Sequence, residues 1–224
     1  MTSRLCLVTD RRRLGRAMGA KPEAWVEILR EQVAAAAEAG IDYVHVRESD
    51  LEARDLAALV RTLLSVTRKT VTRVLVNDRV DVALATGAGG VHLKEQGMLP
   101  EVVRQIAPAG FVIGCSVHTT AAVAARKAAD FLTAGTVMPT ASKPAPDYLN
   151  EDGLRRIVHA AGAQPVIGIG GLDVGSIPLL AASGAAGLAA IGAFIPAGGE
   201  SVSEFVQKRV RNLRFALDNA LHRT

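Results

Sequence analysis

Val166-Ile167-Gly168-Ile169-Gly170-Gly171 and Ala189-Ala190-Ile191-Gly192-Ala193-Phe194 are two apolar runs that each pass straight into glycine, with one amphipathic stretch of helix length between them. Strand, glycine, helix, strand, glycine is the rhythm of a βα repeat. Such a repeat sets bare backbone N–H groups and two helix N-termini side by side. Orphan amides at the positive end of a helix dipole favour an anion where no Cβ blocks its approach. Taken singly, each glycine reads as a tight turn; the adjacent pair favours a phosphate site. On a (β/α)8 barrel, the loops after strands seven and eight are where such a site falls.

Outward from this stretch the apolar period keeps switching between strand and helix. Strands are predicted over residues 5–9, 43–47, 74–77, 90–93, 111–115, 131–134, 165–169 and 187–191. Helices are predicted over 22–39, 51–66, 80–85, 99–106, 120–128, 151–161, 174–183 and 201–221. The alternation implies a parallel sheet with crossover helices. Eight such units with no composition break favour a single-domain (β/α)8 TIM barrel over residues 1–224 rather than a doubly wound open sheet.

Composition narrows the function class. A chain of 224 residues, 49% hydrophobic, can bury one substantial core. Its net charge of +4 comes from mixed acids and bases, and with 4% aromatic residues and no recognisable binding module it is not expected to bind nucleic acid. The cluster Arg11-Arg12-Arg13 with Arg16 reads as a loop after the first strand, solvated or facing an anionic small molecule. Cys6 and Cys115 sit in apolar runs and read as buried thiols rather than a disulfide framework. With no signal-peptide pattern and no apolar stretch of spanning length, a soluble cytoplasmic protein without a membrane partner is expected. Self-association into a homo-oligomer is left open.

On this fold, functional residues lie at the C-terminal ends of the strands. Those ends carry His45 with Arg47, Asn77 with Asp78, Lys94, Ser116 with His118, the stretch Thr140 to Lys143, Gly170 with Gly171, and Gly192. A period of two puts Tyr43, His45 and Arg47 on one face of their strand, pointing His45 and Arg47 into the barrel mouth. The planar fork of Arg47 suits phosphate or carboxylate, with an ion pair to Glu48 or Asp78 as the structural alternative. His118, just past its strand, suits a group that takes and returns a proton near neutral pH. Asp78 could hold Mg2+, cap the helix near Val80, or pair with Arg79. Thr140, Ser142 and Lys143 open the longest loop, which could wrap an oxyanion and act as a lid.

Taken in order, several stretches resemble the thiamine-phosphate synthase and thiazole tautomerase (TenI-like) family across nearly the whole chain. They are Leu7-Val8-Thr9-Asp10, His45-Val46-Arg47-Glu48, Val76 to Leu84, Gly90-Val91-His92-Leu93, Ile113 to Thr119, Pro139 to Pro144, and Ile167 to Gly171. The resemblance implies a phosphorylated thiazole substrate whose phosphate sits at Gly170-Gly171 and Gly192-Ala193. It also implies one of two activities. The synthase joins hydroxymethylpyrimidine diphosphate to thiazole phosphate with Mg2+, for which Asp78 would be a ligand. The tautomerase shifts a proton within a carboxythiazole phosphate and uses no metal.

The departures bear on the choice. Where synthases read Gln-Leu-Arg-Glu-Lys this chain has His45-Val46-Arg47-Glu48-Ser49, which exchanges the diphosphate-binding lysine for Ser49. After strand four, Lys94-Glu95-Gln96-Gly97 stands where the family carries a second Mg2+-ligating aspartate, and Gly192 stands where synthases usually present serine. These losses favour the tautomerase, with His118 as acid/base and His45, Arg47, Asn77, Ser116, Thr140, Ser142 and Lys143 contacting substrate. The synthase is the alternative. A non-catalytic sensor of thiazole or thiamine phosphate is a third reading.

Overall fold

The computed structural model describes residues 3–140 and 148–221. Its strands are β1 (Arg4–Val8), β2 (Tyr43–Val46), β3 (Arg73–Asn77), β4 (Gly90–Leu93), β5 (Val112–Val117), β6 (Phe131–Gly135), β7 (Val166–Ile169) and β8 (Gly187–Ala190). All pair in parallel with their sequence neighbours, and β8 pairs with β1 to close the barrel. Around it run α1 (Arg11–Ala17), α2 (Trp25–Glu38), α3 (Ala53–Thr67), α4 (Val80–Thr86), α5 (Pro100–Ile106), α6 (Thr120–Ala124), α7 (Asn150–Ala161), α8 (Ile177–Ser183) and α9 (Val202–Leu221). The TIM-barrel expectation is met.

Alternation along each strand splits the core in two. Leu5, Leu7, Val44, Val46, Cys115 and Val117 face outward under the helices, within one large apolar cluster. Cys6, Val8, Leu75, Phe131, Ile167 and Ala189 fill the barrel interior. Large rings fit inside because small residues oppose them. A Cβ on Gly114 would fall 2.4 Å from Phe131 Cζ and 2.8 Å from His92 Cδ2. Any larger residue there would force the rings apart. Tyr43 stacks on Phe131 at 5.0 Å, and above them the His45 and His92 rings lie 4.3 Å apart.

Two elements depart from the sequence-based expectation. The basic stretch predicted as loop is α1: Asp10 caps it by accepting from Arg13 N at 2.9 Å, and Leu14 is buried beneath it. Its four arginines are good helix formers, and the aspartate before them was the legible start signal. The helix predicted to reach residue 128 stops at Ala124. There the chain turns so that Arg126, 5% exposed, can donate to the carbonyls of Met98 and Glu95 in the loop after β4.

Candidate active site

The strand C-termini gather the polar side chains at one end of the barrel. A hollow of about 730 Å3 opens beside the ends of α2 and α3, lined by Glu38, Gly40, Ser65, Arg68 and Lys69. It belongs to the opposite face, which on this fold serves stability rather than chemistry. At the strand C-termini, a smaller cleft of about 130 Å3 lies among Ser49, Asn77, Asp78, Arg79 and Lys94.

His45, expected in the mouth, is instead 5% exposed and lies beneath it. Its Nε2 is 3.0 Å from Asn77 Oδ1. An amide oxygen only accepts, so the imidazole donates and the Asn77 NH2 is left for a ligand above. Burial, and then the neighbouring His92, push the His45 pKa well below the ordinary imidazole range, so the ring is neutral. His92 is likewise pushed down, to about 4, by burial, and pairs through Nε2 with Thr133 Oγ1 at 2.8 Å. These rings form a polar floor under the site. Ser116, on the inward face of β5 beside Thr133, continues it.

Arg47 is exposed, and neither acid proposed as its partner engages it. Glu48 is buried and accepts from Arg11 Nη1 at 2.7 Å and Arg11 N at 3.0 Å. Arg11 also grips Asp50 through Nη1 and Nη2, which lowers the Asp50 pKa. This latch joins the loops after β1 and β2 and leaves the Arg47 guanidinium without an acidic partner among the described residues.

Asp78 neither caps α4 nor pairs with Arg79, which bonds Asp81 instead. Its Oδ2 lies 2.8 Å from Lys94 Nζ. The other carboxylate nearby, Glu95, accepts from the His118 backbone N–H and lies 2.9 Å from His118 Nδ1. Because the carboxylate can only accept, Nδ1 carries the proton and Nε2 is the free, basic nitrogen. Among the described residues no three His, Cys, Asp or Glu side chains converge on a common point. The donor set does not fit a resident Mg2+. Mg2+ is held by one or two carboxylates together with water and substrate oxygens, while here the one aspartate already holds an ammonium, Glu48 is held by Arg11 and Glu95 is turned to an imidazole.

The glycine loops answer two different demands. Gly170 and Gly171 have φ of 99° and 69°, and a Cβ on Gly170 would meet Thr136 Cγ2 at 2.5 Å, so the loop after β6 presses on them. The first turn after β7 is already capped, by the Asp173 carboxylate accepting from Gly175 N at 2.9 Å. Of the two N-termini expected to face an anion, this one therefore carries its own. The turn after β8 differs. Its own backbone bonds begin with Phe194 and Ile195 as donors, so the amides of Gly192 and Ala193 precede its ladder. Gln32 secures that turn from α2 by donating to Phe194 O at 2.7 Å. Over Gly192 lies Arg13, whose Nη2 would be 3.0 Å from a Cβ there. Sequence reasoning placed Arg13 in a generic basic cluster. The signal that could have singled it out is its position just past the Asp10 cap, beside the strand that closes on β8.

Thr140 ends the described part of the loop after β6, and Ser142 and Lys143 lie outside the described residues. The base of that loop is closed by Leu149 N to Thr136 O at 2.7 Å and Asn150 N to Val137 O at 2.9 Å.

The chain is similar to known proteins over nearly its whole length. The family described as thiamine monophosphate synthase matches residues 7–194. A thiamine-phosphate synthase of Pyrococcus furiosus is 36% identical over 220 residues, 97% of this chain and 96% of that protein. One of Roseiflexus castenholzii is 36% identical over 195 residues, 85% of this chain and 80% of its own. The solved thiamine phosphate pyrophosphorylase of Pyrococcus furiosus superposes with a TM-score of 0.76 at 34% identity, covering 98% of both chains.

Proposed function

The chain belongs to the thiamine monophosphate synthase family of thiamine biosynthesis, and we propose that within it the barrel is a thiamine-phosphate synthase joining hydroxymethylpyrimidine diphosphate to a thiazole phosphate. This reverses the preference drawn from the departures at Ser49 and Gly97. The Pyrococcus furiosus relative that matches almost end to end is named for the synthase, as is the Roseiflexus castenholzii relative matched over 85% of this chain. The geometric observation that carries the reading is the distribution of cations around the mouth. Arg13 stands over Gly192 on one side, Lys94 stands on the other in the cleft with Asn77, and Arg47 follows directly on the end of β2. Two anionic groups, a phosphate and a diphosphate, suit two separate cationic stations. As the carbon–oxygen bond to the diphosphate breaks, its electron pair leaves with the diphosphate, and fixed positive charge at the departing oxygens lowers that barrier.

One observation favours the tautomerase as a second reading. The Glu95–His118 pair holds an imidazole with its proton on Nδ1 and its Nε2 free, the arrangement that proton shuttling needs. Supplying pyrimidine diphosphate and thiazole phosphate and reading thiamine phosphate as fluorescent thiochrome separates the two. Product above a no-enzyme control is expected. No product, with solvent hydrogen exchange into carboxythiazole phosphate that His118→Asn abolishes, would replace the synthase by the tautomerase. Tight binding with neither reaction would make the protein a sensor.

A further inference from the structure

We propose that Lys94 is the built-in cation of this site: its ammonium holds the place on Asp78 that a divalent metal would need, and it offers its remaining N–H donors to the anionic leaving group. One residue covers both carboxylate oxygens, Nζ at 2.8 Å from Oδ2 and the backbone N of Lys94 at 3.4 Å from Oδ1. Asp78 is itself held for this contact. It sits at φ 60°, which only local bonding makes tolerable for a non-glycine residue, and its N–H donates to His92 O at 2.9 Å. The loop then folds back over the carboxylate: Gly97 N donates to Lys94 O at 3.0 Å, and a Cβ on Gly97 would stand 2.7 Å from Asp78 Oδ1. Residue 97 thus borders the Asp78 carboxylate and, being glycine, supplies no further ligand to it.

Charge makes the two occupants exclusive. An ammonium and a divalent ion on one carboxylate repel each other, and the neighbouring carboxylates are already engaged: Glu48, which lines the same cleft, by Arg11, and Glu95 by His118. Lys94 is 63% exposed on its side chain and shares the cleft with Asn77 and Ser49, so its free donors face the space where an anion would enter. An ammonium has three donors, and Asp78 uses one. The anion is therefore met by a tethered point charge instead of a bound ion. The inference rests on the synthase reading for the identity of that anion alone; the exclusion of metal from Asp78 does not depend on it.

Titration of the protein with Mn2+, following free Mn2+ by electron paramagnetic resonance, tests this without turnover. Wild-type protein is expected to bind Mn2+ only in the millimolar range. Lys94→Gln is expected to tighten binding on the order of tenfold, the effect of removing a like charge from the site, and Asp78→Asn added to it should erase the gain. Inorganic pyrophosphate, titrated in EDTA, is expected to bind wild type and to lose about tenfold in affinity to Lys94→Gln. Micromolar Mn2+ binding by wild type that Asp78→Asn removes would overturn the proposal, as would unchanged Mn2+ binding in Lys94→Gln. The thiochrome assay keeps the two ideas apart. Product that depends on Mg2+, together with tight wild-type Mn2+ binding, sinks this inference and spares the synthase. The expected Mn2+ pattern without product does the reverse.

Discussion

Arg13 illustrates how little a residue type says until its neighbours are known. Arg11 and Arg12 precede it in the same helix, yet Arg11 is drawn inward to Glu48 and Asp50, and Arg12 also reaches Asp50. Only Arg13 projects over the turn after β8. A guanidinium above two backbone amides suits a phosphate through charge-assisted hydrogen bonds. Arg13→Gln is accordingly expected to weaken binding of thiazole phosphate about tenfold and to leave the dephosphorylated thiazole unaffected. Calorimetric titration of both ligands checks this; equal losses for the two would mean that Arg13 does not read the phosphate. The tripeptide was visible as basic in the sequence, but the sharing out of its three charges depends on acids that lie 37 to 39 positions away.

Among the elements, α9 depends on contacts far from the mouth. Asp42, just before β2, accepts from Leu5 N at 2.7 Å and from Arg214 Nη2 of α9 at 2.5 Å. Arg214 continues to Ser3 O and Gly40 O at 2.7 and 3.1 Å. This knot ties β1, β2 and the last helix together at the barrel floor. Asp42→Ala leaves a half-buried guanidinium without its carboxylate and should cost about 3 kcal/mol in urea unfolding. Turnover per folded molecule should be unchanged, since the site is at the other end. A loss of activity that outruns the loss of folded protein would show that the two ends are coupled. Strand and helix positions were legible from period alone because burial on both faces leaves apolar runs that end in glycine or a cap. Helix α1 was not, since its apolar face is little more than Leu14, and a stripe that short carries no period.

For the molecule as a whole, the stacked imidazoles inside the barrel link stability to pH. In the unfolded chain His45 and His92 take up protons near their ordinary value of about 6.5, whereas in the barrel His92 resists protonation until about 4 and His45 is pushed down in the same direction. The unfolded state then binds more protons across that window, so stability is full above the ordinary value and falls as pH drops toward 4. At about 1.4 kcal/mol per unit for each group, His92 alone amounts to roughly 3 kcal/mol over the window. Urea unfolding at about pH 7.5 and about pH 5 should show this fall, and His92→Asn should flatten it. Identical slopes for wild type and variant would remove the imidazoles as its source. Among the described residues no helix is long and apolar enough to cross a membrane.

The order of apolar runs, glycines and caps was enough to specify eight strands, their parallel pairing and the end of the barrel that carries chemistry, because periodicity and turn propensity act over a few residues. The motif order was likewise enough to indicate the family. Polar and charge partners were decided only by the closed barrel. His45 went to Asn77, Asp78 to Lys94, Glu95 to His118 and Glu48 to Arg11. Each of those choices depends on which loops the strand register brings within 3 Å of each other. Electrostatic pairing is settled by distance in space, and sequence separation carries almost no information about it.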